Sequence, residues 1–156
     1  MALKLYQLDE STVQFTEISA GTFTDPVSFQ VAPGGSALVK KIFLRNDDAT
    51  KWYNDIIITT VANNGAAISD GSVDIRILSG DNYPSEAQWA ATQANSAAQI
   101  ASPLGAPLNE TIPEIGAAGT ADQKYYPFWV RVLVSKASPV GSSSFRLKVS
   151  FTENLV

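Results

Sequence analysis

FWVRVLVSKASPVGSSSFRLKVSFTE, residues 128–153, decides the fold. Two runs of strict alternation flank a loop of Ser, Pro and Gly. Phe128, Val130, Val132 and Val134 fall on one face of the first run. Phe145, Leu147, Val149 and Phe151 do the same in the second. Period-two alternation puts such residues on one side of a pleated strand. Trp129, Arg131 and Leu133, then Arg146, Lys148, Ser150 and Thr152, take the other side. The expectation is a closing antiparallel hairpin, one face on a core and one mostly wet, with Ser142–Ser144 in its loop.

Working outward, the same signals recur. Val27, Phe29 and Val31 alternate before an Ala32-Pro33-Gly34-Gly35 turn. SALVKKIFLRN, residues 36–46, reads as a strand, yet Lys40 shares a face with Leu38, Ile42 and Leu44. Either a bulge shifts the register or Lys40 snorkels to a sheet edge. WYNDIIITTV, residues 52–61, is apolar on both faces at Ile56–Ile58, which suits a central strand. Val73, Ile75 and Ile77 alternate in the next run. SEAQWAATQANSAAQI, residues 85–100, is the one helical candidate, with Ser85 as its cap and a short turn expected over Ser85–Ala91. A long Pro- and Gly-rich connection covers 101–126, of the kind that carries function or covers a neighbour. Residues 1–24 read as an N-terminal arm of two short alternating runs, paired with its own sheet or a neighbour's. Residues 25–156 read as one β-sandwich domain.

The totals bound the function more than they define it. A 156-residue chain buries enough surface to need no staples. There is no cysteine, hence no disulfide, thiol catalysis or thiolate metal site. There is no histidine, the usual general base near neutral pH. Eleven Lys+Arg against fifteen Asp+Glu give a net charge of −4, without the basic excess of a nucleic-acid binder. Charged residues are 17%, and Ala, Ser, Thr, Asn and Gly fill the gap. A surface so weakly charged suits packing against other protein. No run of about 18 apolar residues is present to span a membrane as a helix. The opening MALKLYQLDESTVQF carries no export pattern, so synthesis in the cytoplasm is the expectation.

No catalytic constellation emerges, and the expectation is a non-enzyme without cofactor or metal. Asp47-Asp48, Asp70/Asp74 and Glu110/Glu114 are paired carboxylates, but turn-forming is the commoner work of loop acids. The EF-hand pattern is absent. Ser142-Ser143-Ser144 has neither a base nor a nucleophile elbow. Aromatics stand out instead. Tyr6, Phe15, Trp52, Trp89 and Trp129, with Arg131, are the candidate interface residues, since Trp, Tyr and Arg anchor contacts. For Trp129 the competing reading is cover by a loop of the same chain.

The Gly34-Gly35-Ser36 turn, KIFLRND at 41–47 and YNDIIITTV at 53–61 resemble immunoglobulin-like sandwiches of bacterial and viral structural proteins. PSEAQWAA at 84–91, Gly116-Ala117-Ala118-Gly119 and YPFWVRV at 126–132 resemble small virion proteins of tailed bacteriophages. The resemblance implies an immunoglobulin-like antiparallel β-sandwich that decorates a capsid or builds a tail or baseplate. Its partners would be copies of itself and other virion proteins, as a homo-oligomer in the virion, without nucleic acid or membrane. It offers no site residues. The alternative is a carbohydrate-binding module of an adhesin, which calls for exposed Trp or Tyr in a line.

Overall fold

The alternation in the closing stretch holds residue by residue, but its two strands are not partners. The computed structural model describes residues 3–9, 11–20, 23–24, 27–31, 36–64, 73–91, 111–112, 125–134 and 140–156. Its strands are β1 (Leu3–Asp9), β2 (Gln14–Glu17), β3 (Ser19–Ala20), β4 (Phe23–Thr24), β5 (Val27–Val31) and β6 (Ser36–Asn46). They continue with β7 (Lys51–Asn64), β8 (Val73–Ser79), β9 (Thr111–Ile112), β10 (Tyr125–Val134) and β11 (Gly141–Leu155). Among the described residues a helix, α1 (Glu86–Ala91), lies between β8 and β9. The first sheet runs β2-β1-β6-β10-β8 and the second β3-β4-β11-β7-β9, with β5 also against β11. All of the pairings are antiparallel. The molecule is an all-β sandwich.

β10 and β11 therefore sit in different sheets, and the expected closing hairpin is corrected to a crossover. Phe128, Val130, Val132 and Val134 are buried from the first sheet, and Phe145, Leu147 and Val149 from the second, in one shared core. Two strands with one apolar face each can bury those faces side by side or across a sandwich. Periodicity assigns a face and is silent about the neighbour. Ser142–Ser144 belong to β11, opposite Gln30, Phe29 and Ser28 of β5, so they are strand and not loop.

From β5 onward the pairing is nested. β11 meets β5, β10 meets β6 and β9 meets β7, and each strand lies in the other sheet from the strand before it. The immunoglobulin-like expectation thus holds as two packed antiparallel sheets, while the winding is that of a jelly roll.

The segment read as an arm is woven into the sandwich. β1 pairs β6 from Leu3↔Asn46 to Tyr6↔Phe43, and Leu3 and Leu5 are fully buried in the core. The register of β6 against β10 is unbroken from Arg45↔Tyr125 to Ser36↔Val134, so there is no bulge at Lys40. Lys40 is half-buried opposite Val130, where β1 no longer pairs with β6 and the flank lets a long stem reach outward. β7 is central, as its isoleucines require, and buries Ile56 and Ile58. Its pairing with β11 shifts register twice, between Ser144 and Phe145 and between Ser150 and Thr152, and at the second shift Asp55 adopts φ 51.

α1 begins as read. Gln88 N donates to Ser85 Oγ at 3.2 Å, and Ser85 N donates to Gln88 Oε1 at 2.8 Å, a reciprocal capping box. The Gly34-Gly35 turn, Asp70, Glu110, Glu114 and most of the 101–126 connection lie outside the described residues.

Candidate functional site

The outer face of the first sheet collects most of the candidate residues. Outward positions follow by parity from the buried ones: Tyr6 on β1, Phe15 on β2, Lys41 and Phe43 on β6, Arg76 on β8, Trp129 and Arg131 on β10. Register makes these positions neighbours. Tyr6 lies opposite Phe43, Trp129 opposite both Lys41 and Leu78, and Arg131 opposite both Val39 and Arg76.

At the β2 end the rings lock edge to face. Phe15 meets Phe43 at 5.1 Å between centroids and Tyr6 at 6.4 Å. The Tyr6 hydroxyl donates to Asp47 Oδ2. Burial, then the Asp47 carboxylate, pushes the Tyr6 phenol well above its ordinary value. Asp47 also pairs Arg45 Nε at 2.8 Å. Phe15 stays 39% exposed and Val13, at the hairpin tip, 75%. Beside them an open groove of about 480 Å³ is lined by Gln7, Leu8, Asp9, Thr16 and Ile18.

In the middle, Lys41 Nζ lies 5.3 Å from the Phe43 ring centroid and 5.4 Å from that of Trp129. It is held there by Asp81, with Oδ1 at 2.5 Å and the backbone oxygen at 2.7 Å. Tyr83 closes edge-on over Trp129 at 5.2 Å. Trp129 is consequently half-buried under its own chain, the competing reading of that residue.

At the β8 end α1 covers the sheet. Trp89 is fully buried, with the Arg131 guanidinium 4.8 Å from its ring centroid. Arg131 Nη1 pairs Glu86 Oε2 at 3.1 Å. Arg76 donates Nη1 to the Trp89 carbonyl at 2.7 Å and Nε to Asp74 Oδ1 at 3.0 Å. The Asp74 hydrogen bond raises the Arg76 pKa further. Two like charges opposite each other in register are tolerated because each has its own carboxylate. Of the interface candidates, Trp89 and Arg131 therefore lie buried against each other under α1, with Glu86 as the carboxylate partner of Arg131. Trp52 stands apart, half-buried on β7 in the second sheet.

Two of the described loop acids, Asp48 and Asp9, act as turn formers. Asp48 accepts from Thr50 N at 2.8 Å and Thr50 Oγ1 at 2.6 Å, and these bonds lower its pKa. Asp9 does the same for Ser11. Among the described residues no cluster of three or more His, Cys, Asp or Glu is placed to hold a metal ion. No helix of the described residues is long and apolar enough to cross a membrane.

Lys41, Phe43, Asp81 and Glu86 belong to this face and were not singled out from sequence. Outward parity in SALVKKIFLRN signals the first two. Nothing local signals Asp81 or Glu86, whose partners lie 40 and 45 residues away.

The fold and this face define a two-sheet antiparallel sandwich with a ring-and-cation layer on one outer surface. No family model, curated protein or solved structure matches the chain.

Proposed function

We propose that this chain is a non-catalytic structural protein of a phage virion, assembling on a capsid or tail through contacts with copies of itself and with other virion proteins. The observation that carries the contact reading is the β2 end of the first sheet. There an edge strand exposed along its whole length presents Phe15 beside Val13, backed by the Tyr6 and Phe43 rings. Unpaired edges and apolar tips of this kind are surfaces that other protein covers. A chain with only 17% charged residues suits such burial. The virion assignment itself rests on the resemblance in sequence style.

Jelly-roll sandwiches serve both capsids and lectins, so the winding does not choose between the two readings. The aromatic layout favours protein contact over sugar. Of the described Trp and Tyr side chains only Tyr83 is exposed, and Lys41 lies against the Trp129 ring.

Light scattering on the purified chain tests the proposal. A closed oligomer of discrete mass is expected. A monomer at all concentrations that binds a glycan array would overturn it in favour of the sugar-binding alternative.

A further inference from the structure

Three buried N–H donors on the outer face of the first sheet have no acceptor among the described residues: Trp89 Nε1, Trp129 Nε1 and Arg131 Nε. Folded proteins leave few such groups, and each calls for an explanation. Trp129 and Arg131 are two residues apart on one strand, and Trp89 lies against the Arg131 guanidinium. All three are donors, so what completes them is an acceptor.

Arg131 is the centre of the group. Its side chain is only 9% exposed, yet its carboxylate partner Glu86 is 87% exposed. Glu86 reaches Nη1 at 3.1 Å, while Nε is left without an acceptor. A guanidinium edge presents paired donors that match the two oxygens of a carboxylate, and Glu86 fills the fork incompletely. The neighbouring Arg76 differs. Its Nε and Nη2 both reach Asp74, at 3.0 and 3.1 Å, and its Nη1 takes the Trp89 carbonyl.

We propose that Arg131, with the Trp89 indole N–H beside it, is a receptor for a carboxylate of a partner protein, and that Glu86 holds the place until displaced. Charge complementarity specifies the occupant. With Glu86 withdrawn, Arg76, Arg131 and Asp74 leave one net positive charge facing donors that lack an acceptor. Displacement is easy to reach. α1 has six residues, too few to be stable without its packing. The resident pair has one exposed partner, and such pairs contribute little. A carboxylate bridging Nε and Nη makes two charge-assisted bonds where Glu86 makes one. The protein nature of the occupant rests on the reading of this face as a contact surface.

The test is ¹⁵N–¹H NMR of the indole N–H groups of the full chain, titrated with N-acetyl-tetraglutamate amide. The three tryptophans are assigned by single Trp→Phe variants. The Trp89 indole N–H should move downfield on addition of the peptide. Glu86→Ala should bind the peptide roughly two- to fivefold more tightly, because the resident competitor is gone. Arg131→Lys should lose the response while keeping a dispersed spectrum, because a lysine has the charge without the fork. If Arg131→Lys fails to fold, Glu86→Ala decides alone, since that position is exposed. A Trp89 signal that does not move, or a Glu86→Ala chain that binds no more tightly than the parent, would overturn the proposal. So would an equal response to inorganic phosphate, which would mark a general anion hole. Light scattering reads assembly separately, so peptide binding can fail while the oligomer stands, and the reverse.

Discussion

At the scale of single residues, what holds this chain is pairing between distant strands. Glu153 near the end of β11 accepts from Lys51 Nζ at 2.8 Å and from the Tyr53 hydroxyl at 3.2 Å. Lys51, then Tyr53, hold the Glu153 carboxyl below its ordinary 4.5. A carboxylate with a depressed folded pKa contributes stability that is fully present above its unfolded value. That contribution is lost as pH falls through the folded one. The urea midpoint should therefore fall as pH drops below about 4.5, and Glu153→Gln should remove part of that fall. The remainder belongs to Asp9 and Asp48, shifted in the same direction by Ser11 and Thr50. An unchanged acid slope in Glu153→Gln would show that the clasp does not matter. Trp89 makes a second case. It is fully buried, yet its Nε1 has no acceptor among the described residues. Trp89→Ala should cost about 3–5 kcal/mol. Trp89→Phe should cost about 1–2 kcal/mol, because ring area is largely kept and an unsatisfied donor disappears. A Trp89→Phe loss of about 3 kcal/mol or more, measured by urea unfolding, would mean the indole N–H is satisfied after all.

At the scale of elements, β1 is a wall of the core. Leu3 and Leu5 are fully buried, and full burial of a leucine contributes about 1.5–3 kcal/mol. Removing residues 1–9 should lower the melting temperature steeply or abolish folding. Removing Leu155 and Val156, 77% and 79% exposed, should change stability by about 0.5 kcal/mol or less. A shortened chain that melts like the parent would make the N-terminal segment a dispensable arm. The sequence at 1–8 could not separate these outcomes, because Leu3 and Leu5 alternate equally well in a peripheral strand and a core strand. The same logic governs the closing stretch. Its inward faces were legible from 128 to 149, since period two fixes them. Its pairing was not, since the partner of β10 is β6, about ninety residues upstream in register. Ser142–Ser144 misled because serine favours turns. Pairing with β5, with a further bond from Asn63 to the Ser144 hydroxyl at 2.8 Å, outweighs that preference. The helix was legible because capping is local: Ser85 and Gln88 are three residues apart. The site was legible only in part. Outward parity picks out Trp129 and Arg131, but α1 lying over Arg131 is a tertiary fact without a local signature.

At the scale of the whole molecule, the two outer surfaces differ in what they leave open. The first sheet carries rings and cations that largely consume one another, until its β2 edge. There the β1–β2 hairpin ends in Val13, 75% exposed and at φ 55. The left-handed region costs an L-residue roughly 1–2 kcal/mol, and a β-branched side chain suffers most. Asn accepts that conformation far better. Asp9 already anchors the turn by accepting from Ser11 N at 2.9 Å and Ser11 Oγ at 2.6 Å, so the backbone should keep its path when residue 13 changes. A strained, exposed valine is therefore a liability to the isolated chain, and contact with a neighbouring copy is what would make it useful. Val13→Asn separates the two roles. Strain relief should stabilise the isolated chain by about 1 kcal/mol, read as a higher melting temperature. Loss of the apolar tip should shift the assembled species toward monomer, read by light scattering on the same sample. The opposite signs exclude a trivial explanation, because a variant that merely unfolds would lose both. A more stable chain that still assembles fully would place the contact elsewhere, on the second sheet or at the β8 end. A less stable chain would mean that neighbouring residues, and not the valine, hold the turn in its left-handed conformation.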